Sequence, residues 1–132
     1  MTDQFFTPSA LAEFLVNSVK IRKIELVGDF AAGHGDLLVA ARSKWKECFT
    51  LGSDIDDRCV RVLREEAAID IHVRCDFLRR SSRNRSSKLR SRIGSFDLVL
   101  LNPPFSGKGG AVVEVVEGND VIKCSRAMAF IH

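Results

Sequence analysis

Apolar and polar positions along this chain switch repeatedly between a helical period and short strand-like runs. Leu11, Phe14, Leu15 and Val19 recur at helical spacing, which predicts an N-terminal helix with those four on one apolar face. Thr7-Pro8 just before them is a hydroxyl N-cap followed by proline at the first helical position. Lys23 to Gly28 reads as a first strand ending at Asp29, and Gly33 and Gly35 then make a tight turn. A helix follows from about Asp36 to Lys46, with Leu37, Leu38, Ala41 and Trp45 on its buried side. Cys48 to Ser53 is a second strand ending at Asp54, and Asp56 caps a helix carrying Val60, Leu63 and Ala67. Ile69 to Arg74 is a third strand ending at Asp76. Phe96 to Leu101 is an almost continuous apolar run, the mark of a strand buried on both faces; it ends at Asn102. The stretch Ser106 to Gly118 reads as a Gly-rich mobile loop, and Asn119 to His132 as a last helix.

Strands alternating with helices predict an α/β domain with a parallel sheet. In such sheets ligands bind outside the carboxyl ends of the strands, so Asp29, Asp54, Asp76 and Asn102 converge on one crevice. Gly33 and Gly35 let backbone approach a ligand closely. A dinucleotide fingerprint asks for a third glycine three residues on, where this chain has Leu38, so a nicotinamide cofactor loses weight. Asp54, nineteen residues beyond Gly35, is well placed for ribose hydroxyls. Asp76-Phe77 offers an acceptor and an aromatic face suited to an adenine ring. Asn102-Pro103-Pro104-Phe105 is the most informative tetrapeptide. Its two prolines remove N–H donors and fix the backbone, so carbonyl acceptors, the Asn102 side chain and the Phe105 face together suit a planar ring with an exocyclic amine.

Composition changes this picture in one place. The 132 residues are 45% hydrophobic and 28% charged, with a net charge of +3, ordinary for one globular domain. Yet Arg79, Arg80, Arg83, Arg85, Lys88, Arg90 and Arg92 fall between Phe77 and Phe96 with no acidic residue among them, so the rest of the chain is net acidic. This Ser/Arg-rich segment, 79–92, reads as an exposed insertion for which disorder is plausible, and as either a phosphate-tracking element or a solvated loop. Cys48, Cys59, Cys75 and Cys124 form no CxxC pair and no cluster with histidine, so free thiols and no metal site are expected. No apolar run approaches the roughly 18 residues of a membrane span, and the N-terminus carries Asp3 and no basic lead. A cytoplasmic protein without a membrane partner is the expectation.

In order along the chain, these motifs resemble those of the adenine-N6 amino-methyltransferases of DNA. Phe6-Thr7-Pro8 resembles the family's FxTP motif, which folds over the cofactor. Asp29-Phe30-Ala31-Ala32-Gly33-His34-Gly35 resembles the DPACGSG loop, with Phe30 in place of the usual proline and His34 in place of serine. Asp54-Ile55 resembles the acidic ribose motif, Asp76-Phe77 the adenine-contacting motif, and Asn102 to Phe105 the NPPF catalytic motif. The resemblance implies a Rossmann-like methyltransferase fold with helices on both faces of a parallel sheet. S-adenosylmethionine would be held by Phe6, Thr7, Pro8, Asp29, Ala31, Gly33, Gly35, Asp54, Ile55, Asp76 and Phe77. Asn102, Pro103, Pro104 and Phe105 would work on an adenine flipped out of DNA.

The family's sheet order, 3-2-1-4-5-7-6, implies that this chain is a partial catalytic domain, 1–132. It comprises an N-terminal helical segment 1–22 and strands 1 to 4, truncated there, with strand 4 as an open edge. A completing chain, or self-pairing through that edge, would cover it. A cytosine-C5 enzyme would need a cysteine after proline, and here Glu47, Arg58, Arg74 and Lys123 precede the cysteines. Two other classes stay open: a non-catalytic S-adenosylmethionine-binding or assembly module, and a methyltransferase acting on protein glutamine or RNA. The fragment alone is expected to be weak or inactive.

Overall fold

The computed structural model describes residues 6–102, 112–117 and 120–125. The chain divides into two compact units, Phe6–Asn102 being one and the C-terminal residues belonging to the other. Within the first, the elements run α1 (Ser9–Ser18), β1 (Leu26–Asp29), α2 (Asp36–Lys44), β2 (Phe49–Asp54), α3 (Asp57–Glu65), β3 (Ile71–Arg74), α4 (Arg80–Arg85), α5 (Ser87–Arg90) and β4 (Leu98–Val99). The strands form one parallel sheet in the order β3-β2-β1-β4. This is the α/β architecture expected, with β4 as an edge. Strand order runs one way from β1 to β3, and the chain then crosses back to place β4 on the other side of β1. Right-handed crossovers therefore set α2 and α3 on one face and the α4–α5 segment on the other.

The core forms where the predicted apolar positions meet. Leu37, Leu38, Ala41 and Trp45 of the α2 region pack with Val27, Leu63, Ile69 and Leu100, and full burial of each large side chain is worth about 1.5 to 3 kcal/mol. Asp56 caps α3 as expected, its carboxylate accepting from the Arg58 N–H at 2.9 Å. Lys44 in the last turn of α2 donates to the Val16 and Val19 carbonyls, and the Trp45 indole donates to the Ile21 carbonyl at 3.0 Å. Through these bonds α2 fastens the end of α1 and the residues that follow it, the Val16 carbonyl also accepting from Val19 N–H at 3.1 Å.

Several expectations are overturned. The buried side of α1 is Ala12 and Val16, with Val19 packed against the core, while Leu11, Leu15 and Phe14 (71% exposed) face outward. Small residues allow α1 to lie close on α2, and closeness outweighs the larger apolar stripe. Pro8, not Thr7, is the N-cap residue, and no side chain caps this helix. The run at 96–101 is not buried on both faces. Only Leu98–Val99 pair with β1, and Val99 is 41% exposed, because no strand covers β4 among the described residues. The basic segment is not an irregular insertion. It folds into α4 and α5, with Leu89 fully buried and the Ser86 hydroxyl accepting from the Leu89 N–H.

In the second unit, β5 (Val112–Glu117) and β6 (Asp120–Ser125) form an antiparallel hairpin, with Glu117 paired to Asp120. At these positions strands replace part of the loop expected over Ser106 to Gly118 and part of the helix expected over Asn119 to His132, the rest of both stretches lying outside the described residues. The β-branched run VVEVVE and the Gly118-Asn119 pair between the strands are sequence features of a two-residue hairpin.

Gly28 explains how Phe96 packs. A Cβ here would lie 2.6 and 2.8 Å from the Phe96 ring and 3.2 Å from Phe30. Replacing Gly28 with Ala is therefore expected to cost about 1 to 3 kcal/mol of stability, as overpacking of a filled site does. Urea unfolding checks this, and an unchanged midpoint would mean the rings shift freely. Among the described residues no helix is long and apolar enough to cross a membrane.

Candidate functional site

The carboxyl ends of the four parallel strands carry the site. Neighbouring strands lie about 4.8 Å apart, so successive strand-end residues become near neighbours in the order Asp76, Asp54, Asp29, Asn102. Backbone bonds tie these ends together: Ala32 N–H donates to the Ser53 carbonyl at 2.9 Å and Cys75 N–H to the Asp54 carbonyl at 3.0 Å.

After β1 the chain must leave the sheet and enter α2 within a few residues. Gly33 and Gly35 adopt φ of 56° and 86°, the left-handed region that glycine enters without strain. Asp54 holds the loop, since its Oδ2 accepts from Gly33 N–H and its Oδ1 from Asp56 N–H, both at 2.9 Å. Asp29 accepts from Ala31 N–H at 3.1 Å. Asp29 is 1% exposed. Burial pushes its carboxyl up to about 7, the Ala31 hydrogen bond works against that, and the nearby Asp54 charge adds to it. A charge held so far from its ordinary range is a mark of functional sites.

Residues 6 to 8 reach the same place from the N-terminal side. The Phe6 ring stacks on His34 at the tip of the glycine loop, with centroids 4.1 Å apart, and a Cβ on Gly33 would lie 3.0 Å from Phe6. The Thr7 hydroxyl, buried and not used as a helix cap, accepts from the Asn102 side-chain amide at 3.1 Å. This bond joins positions 95 residues apart. Pro8 is exposed at the start of α1, Ala31 is half-buried in the loop, and Ile55 projects outward beside Asp54. Pro103, Pro104 and Phe105 lie outside the described residues.

Phe77 is engaged with its neighbours. Its ring stacks in parallel on Phe30, with centroids 4.0 Å and planes 4° apart, and Phe96 meets Phe30 edge-on at 5.1 Å. The Arg83 guanidinium lies over the Phe77 ring at 5.3 Å and donates to the Phe77 carbonyl. A face covered by a parallel ring leaves the opposite one for Arg83. The aromatic face expected to be open is thus already in use. Neither Phe30 nor Arg83 carries a local sequence signal for this, because the stack joins residues from separate loops. Asp97 carries none either. Its carboxylate accepts from Glu25 and Leu26 N–H at 2.9 and 3.0 Å and fastens the start of β1; those two bonds hold its carboxyl below the usual range.

The donor set suits a small cationic ligand bearing hydroxyls and a ring. Asp29 and Asp54 supply negative charge beneath a loop that has no Cβ at Gly33 and Gly35, and Ile55 supplies exposed apolar surface. S-adenosylmethionine, with its sulfonium, ammonium and ribose groups, fits these residues. At Phe77 the fit requires Phe30 or Arg83 to move. Among the described residues no group of three His, Cys, Asp or Glu could hold a metal ion.

Comparison with known proteins bears on this geometry. A family model described as N-6 DNA methylase matches residues 2–122. The chain is 28% identical over 118 residues to the rRNA N(6)-adenosine-methyltransferase metl-5 of Caenorhabditis elegans, covering 86% of this chain and 54% of that protein. It is 28% identical over 103 residues to the uncharacterized protein MG259 of Mycoplasma genitalium, covering 78% of this chain and 22% of the other. Among solved structures, a modification subunit of a putative type I restriction enzyme from Vibrio vulnificus YJ016 superposes with a TM-score of 0.68 at 20% identity, over 97% of this chain and 29% of that one. The chain thus spans about half or less of the length of each of these relatives.

Proposed function

The chain belongs to the N-6 DNA methylase family, and from that premise we propose that it is the cofactor-binding and catalytic part of an S-adenosylmethionine-dependent methyltransferase acting on the exocyclic N6 amine of adenine in DNA. The observation that supports this reading best is the Asn102–Thr7 hydrogen bond, which ties Asn102 to the segment whose Phe6 stacks on His34 of the glycine loop.

Asp29, Ala31, Gly33, Gly35, Asp54, Ile55, Asp76 and Phe77, with Phe6 and Pro8 closing from the N-terminal side, would hold S-adenosylmethionine, while Thr7 between them positions Asn102. When bound, it supplies an electrophilic methyl on a sulfonium centre. The carboxylates of Asp29 and Asp54 favour a cationic ligand. Asn102 accepts a hydrogen bond from the adenine amine through its side-chain oxygen, and the Pro103 carbonyl accepts the second. These two bonds draw the nitrogen from planar toward tetrahedral geometry and release its lone pair from the ring. Phe105 stacks on the flipped base. The chemistry is positioning and electrostatics without a covalent enzyme intermediate.

A second reading has specific support. The metl-5 relative is named for rRNA, so RNA is the competing substrate. One experiment tests both. The chain is incubated with isotopically labelled S-adenosylmethionine and either duplex DNA or structured RNA, and N6-methyladenine is read by mass spectrometry as its deoxyriboside or riboside. Label in DNA supports the proposal, and label confined to RNA supports the second reading. Calorimetric titration of S-adenosylmethionine runs beside it, with Asp54→Ala expected to lose binding. Saturable binding without transfer to either substrate would leave a non-catalytic binding module.

A further inference from the structure

The α4–α5 segment has a second property that the cofactor site does not use. Arg80, Arg85, Lys88 and Arg90 are all exposed, and none has a carboxylate at ion-pair distance among the described residues. These charges stand on a fixed scaffold. Leu89 anchors α5 in the interior. The Ser82 hydroxyl accepts from Asp76 N–H at 2.9 Å, Arg79 pairs with the Asp76 carboxylate at 3.3 Å, and Arg83 grips Phe77. The basic segment is therefore bolted to the site at the carboxyl end of β3.

Its field is felt nearby. His72 accepts from Arg64 Nε at 3.3 Å, and burial followed by the charges of Arg64 and Lys88 holds its imidazole below the ordinary range. Unbalanced like charges repel in the folded state, so an arrangement of this kind gains from a polyanion. The residues between the charges decide which one. Ser81, Asn84, Ser87 and Ser91 are small hydrogen-bonding side chains, and Arg, Lys, Ser and Asn are the groups that contact phosphates. A protein partner would be met by an aromatic or apolar centre, which the segment from Arg80 to Arg90 does not present.

We propose that α4 and α5 form a docking surface for the phosphate backbone of duplex DNA, the substrate of the proposed function, binding it without regard to sequence and delivering it to the site beyond Asp76. The proposal rests on the methyltransferase reading for the identity of its partner.

The test is fluorescence anisotropy of the full 132-residue chain with labelled duplex DNA and with an RNA hairpin, across a salt series. The variant replaces Arg80, Arg85, Lys88 and Arg90 with Ser and leaves Arg79, Ser82 and Arg83 in place. Affinity at low salt should fall at least about 10-fold, and the slope of log K on log salt should flatten by about 0.9 for each duplex phosphate that is no longer neutralised. An Arg-to-Lys variant at the three arginines should bind as the parent does. Should the fourfold variant fail to fold, the single reversals Arg80→Glu and Arg85→Glu should each weaken binding severalfold. Tighter binding of the RNA hairpin than of the duplex would overturn duplex DNA as the occupant.

Unchanged affinity and slope in folded variants would overturn the proposal. S-adenosylmethionine binding, titrated separately, keeps the two readings apart. Loss of nucleic acid binding in the variant of a chain that takes no S-adenosylmethionine would leave the docking surface standing without the methyltransferase. Cofactor binding with no effect of the variants would do the reverse.

Discussion

Replacing Asp29 with Asn is expected to make the unliganded chain more stable at pH 8 while weakening the S-adenosylmethionine binding that we propose. Asp29 is buried, and its carboxyl is pushed up to about 7 from the ordinary 3.8. Because the folded value lies above the unfolded one, the group's contribution to stability is fully present below pH 3.8. It is lost progressively as pH rises through about 7. At pH 8 the folded chain therefore carries a buried, ionised carboxylate at a cost of on the order of 4 kcal/mol. An amide keeps the shape and part of the desolvation cost, so Asp29→Asn should gain about 2 to 4 kcal/mol at pH 8. That gain should fade toward zero as pH falls to 3.8. Urea unfolding of both proteins across this range measures it, and a difference that does not change with pH would sink the argument.

The same charge is what a cationic ligand meets, and hydrogen bonds to an ionised partner are worth about 1.5 to 3 kcal/mol. Calorimetry should accordingly show affinity for S-adenosylmethionine reduced about 10-fold or more in Asp29→Asn. Stability given up for function in this way is common at active sites. On the proposed function it would explain why an ionisable residue stands at the end of β1, where an apolar residue would pack without cost.

How far the fold and the site are legible in the sequence depends on the range of the interactions concerned. Asp29, Asp54 and Asp76 can be placed because each ends a short apolar run, and strand period alone sends such residues to one edge of a parallel sheet. The Asp56 cap and the glycine turn depend on neighbours a few residues away, and these too are readable. What cannot be read joins distant parts of the chain. The buried side of α1 is settled by α2 packing against Ala12 and Val16, and the helix's own periodicity favours a neighbouring face turned by about 100°. The Phe30–Phe77 stack requires two loops to meet, so phenylalanine in place of proline looks like a local substitution. The segment 79–92 reads as irregular because Ser and Arg dominate its composition, whereas one buried leucine and two serine hydroxyls are enough to order it. The hairpin at Val112–Glu117 and Asp120–Ser125 has its signal in plain view, masked by the glycines before it.

The Asn102–Thr7 contact yields the largest expected effect on catalysis. Asn102→Ala removes the side-chain oxygen that is proposed to draw the adenine amine out of plane. Loss of one such preorganised group should lower the methyl-transfer rate at least about 100-fold. Thr7→Val is the more informative change. Valine matches threonine in shape but gives the Asn102 amide no acceptor at this position, so the carboxamide can turn its nitrogen toward the substrate. The rate should fall about 10-fold, because misplacing a reacting group by even about 1 Å is costly. Thr7 acts here through Asn102, so the defect should lie in kcat and leave KM for the nucleic acid and the calorimetric Kd for S-adenosylmethionine near those of the parent. Thr7→Ser restores the hydroxyl and should restore the rate. Single-turnover assays with protein in excess would register transfer even from a chain that spans about half of its metl-5 relative. If Thr7→Val instead weakened cofactor binding and left the rate at saturation intact, Thr7 would belong to the cofactor cradle, and the hydrogen bond to Asn102 would be a structural link between two loops.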